Sequence, residues 1–219
     1  MNAGYLTMGL TLIFFILFTT GWKELIAERI PMPYLTLVAS GCILLTPFSV
    51  TFNKWMEGHG SLAVQLSVCW LTAWAVAALL IYRHEGALQR VYALFASLLS
   101  AMMGGWLRIL YLNDPVLIFY NATFDAAIMT GLSAVLMAPA NSTMRFVVVT
   151  LASVIQPILV GWLQPGHPMQ GIVIGSLAWW DSYLLALFTT CVIGLVFKMM
   201  RTFAEKWRFR FAGSNGREE

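Results

Sequence analysis

The sequence alternates long apolar runs with short polar segments, and seven of the runs are long enough to be membrane-spanning helices. A helix needs about 20 apolar residues to cross a hydrocarbon core roughly 30 Å thick. The pattern therefore predicts an all-α fold, a polytopic bundle of seven transmembrane helices. The predicted spans are residues 3–22, 33–52, 61–82, 91–112, 116–137, 146–163 and 171–200.

The positions of Lys and Arg predict which way the bundle faces, because cytoplasmic loops carry the excess of positive charge. With the N-terminus outside, all but two of the 13 Lys and Arg residues fall on the cytoplasmic side, the exceptions being Lys54 and Arg108. Six spans would put the basic C-terminal segment on the same side as the uncharged N-terminus. We therefore predict seven spans, the N-terminus outside and the C-terminus inside, with one transmembrane domain over 1–200 and a basic cytoplasmic tail over 201–219.

The composition supports this architecture and argues against a soluble enzyme domain. Hydrophobic residues make up 59% of the chain and charged residues 11%, whereas soluble domains have about 25% charged residues. Cys42, Cys69 and Cys191 lie singly in separate apolar runs, so neither a disulfide framework nor a zinc site is indicated. The sequence has no HExxH motif, no GxSxG elbow and no phosphate-binding P-loop. We expect no catalytic residue, no metal, no cofactor and no nucleic-acid partner.

Small residues predict where the helices approach each other most closely. Ala93, Ser97, Ala101 and Gly105 recur every four residues in the fourth span. Rows of small side chains let membrane helices pack backbone against backbone, which is how such helices associate in lipid. We predict that the fourth span is the central, most tightly packed helix.

Polar side chains inside the predicted spans are the candidates for a functional site. An ionisable group at membrane depth costs several kcal/mol unless it is paired, so such a group is by default a functional hypothesis. Arg108 has two alternatives, an ion pair with one of the nearby aspartates or a position at the outer headgroups. Gln156-Pro157 and Thr46-Pro47 put proline inside spans, where it bends the helix and frees a carbonyl four residues earlier. The candidate intramembrane polar site is Asp125, Asp181, Arg108, Gln156 and Asn121.

Asp125 has a functional and a structural interpretation. It lies about ten residues into the fifth span, with Asn121 one turn earlier on the same face. If the helix begins later, near Phe124, the carboxylate instead lies at the outer interface as a helix cap after the Asp114-Pro115 turn. Both interpretations remain open from the sequence.

Asp181 follows Trp179 and Trp180 in a seventh span that is longer than a bilayer requires. The register that we favour runs from Trp179 to Met200, which places both tryptophans at the interface and leaves Asp181 hydrated. The alternative register, 171–191, would bury the carboxylate at the midplane.

The segment 198–211 alternates basic and aromatic residues. This pattern favours a helix that lies on the anionic lipids of the inner leaflet. The plainer alternative is that these charges only fix the topology. The sequence also allows a membrane-protein partner or a homo-oligomer.

Three short motifs resemble those of the YphA-like membrane proteins of endospore-forming Gram-positive bacteria. They are Gly21-Trp22-Lys23 with Arg29, Asp114-Pro115, and Ile174-Gly175-Ser176 followed by Trp179-Trp180-Asp181. The resemblance covers nearly the whole chain. It implies a small integral protein of the cell membrane, with a link to spore-envelope formation and no catalytic residue to carry over.

Three functions follow from these observations. The main hypothesis is a non-enzymatic envelope protein that acts through lateral or cytoplasmic-surface contacts, because the helix faces carry small residues and the loops are short. The alternative is a carrier or channel for a small solute or ion, using Asp125, Asp181, Gln156 and Arg108 in the outer half of the bundle. The third is an intramembrane enzyme with the two aspartates as paired carboxylates.

Overall fold

The computed structural model describes residues 2–21, 32–52, 61–81, 87–138, 142–163 and 172–214. Within these residues the chain forms seven α-helices, one short 3-10 helix and three short strands. The helices are α1 (Tyr5–Thr19), α2 (Met32–Leu45), α3 (Leu66–Ile81), α4 (Ala87–Asn113), α5 (Ala122–Met137), α6 (Ser142–Leu163) and α7 (Leu177–Ser214). The strands are β1 (Ser49–Phe52), β2 (Leu62–Gln65) and β3 (Ile172–Ile174), and the 3-10 helix is Pro115–Leu117.

Each predicted span overlaps one of the seven described helices, so the prediction of a helical bundle is confirmed. Three helices are long and apolar enough to cross a membrane, namely α4, α6 and the part of α7 over Leu177–Glu205. The other four are apolar but have only 14 to 16 residues. Of the basic residues that predict the orientation, Lys23, Arg29, Lys54, Arg83 and Arg217 lie outside the described residues.

Helix was predicted at the ends of three spans where the chain forms a small sheet instead. β1 pairs antiparallel with β2, and β2 pairs parallel with β3. The helical prediction for residues 49–52, 62–65 and 172–174 is therefore wrong. α2 ends at Leu45 because Pro47 disfavours helical backbone in the residue before it, and the strands are rich in β-branched residues that suit a pleated backbone. Gly175, with φ of 100°, then makes the turn between β3 and α7.

Consecutive helices run in alternating directions. At one end of the bundle, Asp181 in the first turns of α7 contacts Gly4 and Thr7 at the start of α1. The sheet joins the end of α2 and the starts of α3 and α7 at that same end. At the other end, the Tyr92 hydroxyl near the start of α4 donates to the Met137 carbonyl that ends α5. We call the end that carries the strands the sheet end.

The helix with the most helical neighbours is α6, not α4 as the sequence predicted. α6 packs against α3, α4, α5 and α7, whereas α4 packs mainly against α5 and α6. Residues 147–153 of α6 are buried without interruption. α4 has two different faces: Ala93, Ser97, Ala101 and Gly105 are all buried, while bulky side chains such as Phe95 are exposed on the opposite face. Small residues bring α4 close to its neighbours on one side only, which leaves it at the edge of the bundle.

The last helix runs without a break across the predicted boundary between membrane domain and tail. α7 continues through residue 200 and ends at Ser214. Residues 215–219 of the predicted tail lie outside the described residues. The basic segment is thus, as far as the structure describes it, a direct extension of the last helix of the bundle.

Candidate functional site: a polar cavity at the sheet end

A cavity of about 270 Å³ lies between α4, α5, α6, α7 and β3. Of the described residues that line it, Arg108 is the one charged side chain, and none is a carboxylate. We call it the polar cavity. Its polar lining consists of Arg108, Thr123, Thr130, Ser153, Gln156, Ser176, Ser182 and Tyr183.

Pro157 shapes one wall of the polar cavity. Proline has no backbone N–H, so the carbonyl four residues earlier, that of Ser153, loses its helical partner. The Trp179 indole of α7 donates to this carbonyl at 3.0 Å. Trp179 is 8% exposed and also stacks on Tyr183, with ring centroids 5.3 Å apart. Our favoured register expected the Trp179 ring at a membrane interface. The freed carbonyl instead holds the indole inside the bundle, although α7 begins at Leu177, close to the start of that register.

Arg108 and Gln156 line the polar cavity, and neither side chain has a hydrogen-bond or ion-pair partner among the described residues. The ion pair found among the described residues joins Arg201 to Glu205, and no described carboxylate lies within 4.0 Å of the Arg108 guanidinium. The predicted pairing of Arg108 with a nearby aspartate is thus not formed. Gln156 is 8% exposed, and its side-chain amide has no hydrogen-bond partner among the described residues. Two side chains with strong hydrogen-bonding capacity therefore face the same small volume.

Asp181 does not line the polar cavity. Its carboxylate accepts hydrogen bonds from the Gly4 and Thr7 backbone N–H groups at 2.7 and 2.6 Å, and from the Thr7 hydroxyl at 2.6 Å. Gly4 is the N-cap of α1 and has no side chain to satisfy these donors, so Asp181 caps α1 from a distant helix. Asp181 is 4% exposed, which contradicts the hydrated carboxylate that we favoured. Three donors and the positive end of the α1 dipole stabilise the buried charge.

Asp125 and Asn121 lie at the start of α5 beside the polar cavity, and neither lines it. Asn121 is the N-cap of α5, and its side-chain oxygen accepts from the Thr123 N–H at 3.0 Å. The Asp125 carboxylate accepts from the backbone N–H groups of Phe119 and Tyr120, each at 3.2 Å. Asp125 and Asp181 thus bind different backbone donors and share none. Nothing in this arrangement positions them as an acid–base pair.

The sequence placed Arg108 and Gln156 among the candidate site residues. It did not include in that set the serine and threonine side chains that line the same cavity. Thr123, Thr130, Ser153, Ser176 and Ser182 come from three helices and a turn, with no common spacing. The one local signal that pointed to this place was Pro157, since it predicts an exposed carbonyl at Ser153. The local pattern did not indicate that the Trp179 indole would donate to the Ser153 carbonyl.

A bundle of apolar helices, three of them long enough to cross a bilayer, defines an integral membrane protein. The model of one family, described as YphA-like integral membrane proteins, matches residues 3–215. The chain belongs to this family, which confirms the resemblance seen in its motifs. Comparisons with curated proteins and with solved structures gave no match.

Proposed function

We propose that this chain is a non-enzymatic, seven-pass protein of the cell membrane that binds a small polar solute in the polar cavity. The observation that carries the proposal is the convergence of unpaired Arg108 and Gln156 in one small, polar volume. Leaving such groups unpaired inside a protein costs free energy. A bound solute or water would recover that cost, and the cavity is not fully enclosed.

The alternating helix directions support seven crossings, although four helices are short. Helices of 14 to 16 residues span about 21–24 Å at 1.5 Å per residue, less than a typical hydrocarbon core. Open sheet edges are not tolerated in contact with lipid, so we assign the sheet end to a membrane interface. Because α1 begins at the sheet end and the N-terminus is predicted to lie outside, this is the outer interface. The bilayer would then be locally thinner around α1, α2, α3 and α5.

This topology predicts that the two ends of the chain react on opposite sides of the membrane. In a background without Cys42, Cys69 and Cys191, Asn2→Cys should react with a membrane-impermeant thiol reagent in intact cells. Ser214→Cys, the last residue of α7, should react only after permeabilisation. Labelling of both positions in intact cells would point to an even number of crossings.

Binding of a solute requires that water reach the polar cavity. In the same cysteine-free background, Ser182→Cys should be labelled from outside by an impermeant thiol reagent, because Ser182 lines the cavity and is half-buried. Ser97→Cys is the matched control, since Ser97 is fully buried in the face of α4 that packs on its neighbours. We expect at least about a tenfold difference in labelling rate, because the control requires local opening.

The side of the membrane from which Ser182→Cys reacts distinguishes a binding site from a carrier or channel. Labelling from outside alone indicates a binding site, and labelling from both sides indicates the carrier or channel that the sequence also suggested. Equal rates for Ser182→Cys and Ser97→Cys, or protection of both, would contradict a hydrated cavity.

An interaction role in the envelope, with a link to sporulation, is the second candidate. The small-residue row of α4 does not support it, because this row is already buried against other helices of the same chain. The observation in its favour is the length of α7, whose last turns carry the basic segment beyond the apolar part of the helix. That segment is suited to bind anionic lipids of the inner leaflet.

A further inference from the structure

The polar cavity has the charge of an anion-binding site. Resting on the proposed function, we infer that its solute is a small organic monoanion, such as a carboxylate, and that Arg108 binds the charged group. A guanidinium presents its N–H groups in a planar fork that matches a carboxylate. The described lining residues include one cation and no carboxylate, which suits a ligand with one negative charge.

The acidic residues nearest to the polar cavity are already bound to other groups. Asp181 accepts from Gly4 and Thr7. Asp125 accepts from the backbone of residues 119 and 120, and Asp114 accepts from the Val116 N–H. None of these carboxylates forms an ion pair with Arg108 or lines the cavity. Among the described lining residues the guanidinium is therefore the one formal charge.

Neutral hydrogen-bond donors in the polar cavity also favour an anion. Gln156 is more than nine-tenths buried, and its amide N–H groups have no described acceptor. The Ser176 oxygen accepts from the Trp179 N–H, which leaves the Ser176 hydroxyl proton free to donate. The first turns of α5 and α7 also contribute Thr123 and Ala178 to the lining, and helix N-termini favour negative charge.

Size and the apolar wall decide between an organic and an inorganic anion. The volume of about 270 Å³ corresponds to roughly nine water molecules at about 30 Å³ each, which is enough for a small organic molecule. Pro157, Val160 and Ile172 line the cavity together with the stacked rings of Trp179 and Tyr183. An anion with a short apolar body would contact both halves of this lining.

The charge selectivity of Ser182→Cys tests the inference with charged reagents in place of the unidentified solute. The cysteine is placed in the cysteine-free full-length chain and treated with two methanethiosulfonates of similar size. One carries a sulfonate and the other a trimethylammonium group, and each rate is divided by the rate with 2-mercaptoethanol. We expect the sulfonate reagent to react about tenfold faster after this correction, since a cleft of one sign concentrates the opposite ion.

Arg108→Gln should bring the corrected ratio close to one, and Arg108→Lys should keep most of the preference. Arg201→Gln is the matched control, because it removes an exposed cation about 19 residues further along α7, or nearly 30 Å at 1.5 Å per residue. It should leave the ratio unchanged. In the parent protein, benzoate should slow the labelling at lower concentration than benzamide, which has the same shape without the charge.

The outcomes separate the two proposals. Reaction with both reagents at equal corrected rates, or equal protection by benzoate and benzamide, overturns the anion inference and leaves the hydrated cavity standing. A preference that persists in folded Arg108→Gln shows that Arg108 extends to the headgroups and does not act in the cavity. Failure of Ser182→Cys to react with either reagent removes the proposed function itself.

Discussion

Replacing Gly131 with alanine is expected to lower the free energy of unfolding by about 3 kcal/mol, the upper part of the range for overpacked cores. α5 and α7 approach each other at this residue. A Cβ on Gly131 would lie 2.5 Å from the Ala186 carbonyl oxygen and 3.0 Å from Thr189 Cβ. The Thr190 hydroxyl also donates to the Gly131 carbonyl at 3.2 Å. The obstacle is backbone, which cannot turn aside, so one helix must shift.

Gly9→Ala is the control for this prediction. Gly9 also lies within a helix, but a Cβ there would have no atom within 4 Å. Alanine has the higher helix propensity, so this change should be neutral or slightly stabilising. The midpoint of thermal unfolding of the purified protein should fall by about 6–12 °C for Gly131→Ala, given the 2–4 °C per kcal/mol of chains of this length. Similar midpoints for the two variants would show that α5 and α7 are not packed this closely.

Replacing Asp181 with asparagine is expected to release the start of α1 from the bundle. The asparagine oxygen can still accept one or two hydrogen bonds, but its NH₂ group would face a donor, the N–H of Gly4 or Thr7. Hydrogen bonds to a charged group contribute about 1.5–3 kcal/mol each. We therefore expect a local loss of about 3 kcal/mol, or roughly a hundredfold in the opening equilibrium of α1.

Hydrogen exchange of the first amides of α1 measures this loss directly. Asp125→Asn is the matched control, because its two acceptor contacts are 3.2 Å long and the residue is half-buried. We expect exchange at Gly4 and Thr7 to accelerate about a hundredfold in Asp181→Asn and to stay unchanged in Asp125→Asn. Unchanged exchange in both variants would mean that apolar contacts alone, such as Phe14 on Phe188, hold α1 in place.

The role of Asp181 shows where sequence reasoning stops. The sequence located the carboxylate in the last span and offered two depths for it, both measured against the membrane. In the fold, the deciding partner is another helix. Gly4 and Thr7 are 177 and 174 residues away in the chain, and their need for an acceptor arises because a glycine occupies the N-cap position of α1.

The prediction that α4 is the central helix was limited in the same way, because the sequence does not show which helices pack together. The small residues of α4 correctly indicated a buried face, since close approach of backbones requires small side chains. They did not indicate how many sides of a helix are covered. α6 has several neighbours, and its buried run 147–153 consists mainly of valine, threonine and leucine, with Ala152 and Ser153 at its end.

The sequence by itself determined the class of protein, the approximate positions of the helices that the structure describes, and the family. These properties depend on the local length and hydropathy of each run and on short motifs, which are read along the chain. The proline at 157 also determined that the Ser153 carbonyl would need a new donor.

Only the tertiary structure decided which polar groups meet. The polar cavity combines residues from Arg108 to Ala186, and the order and rotation of the helices bring them together. It also decided that Asp181 caps α1, while Arg108 and Gln156 have no partner among the residues that the structure describes. The physical reason is that each buried polar group must find its partner in space, and helix periodicity specifies the face on which a side chain lies but not the helix that this face meets.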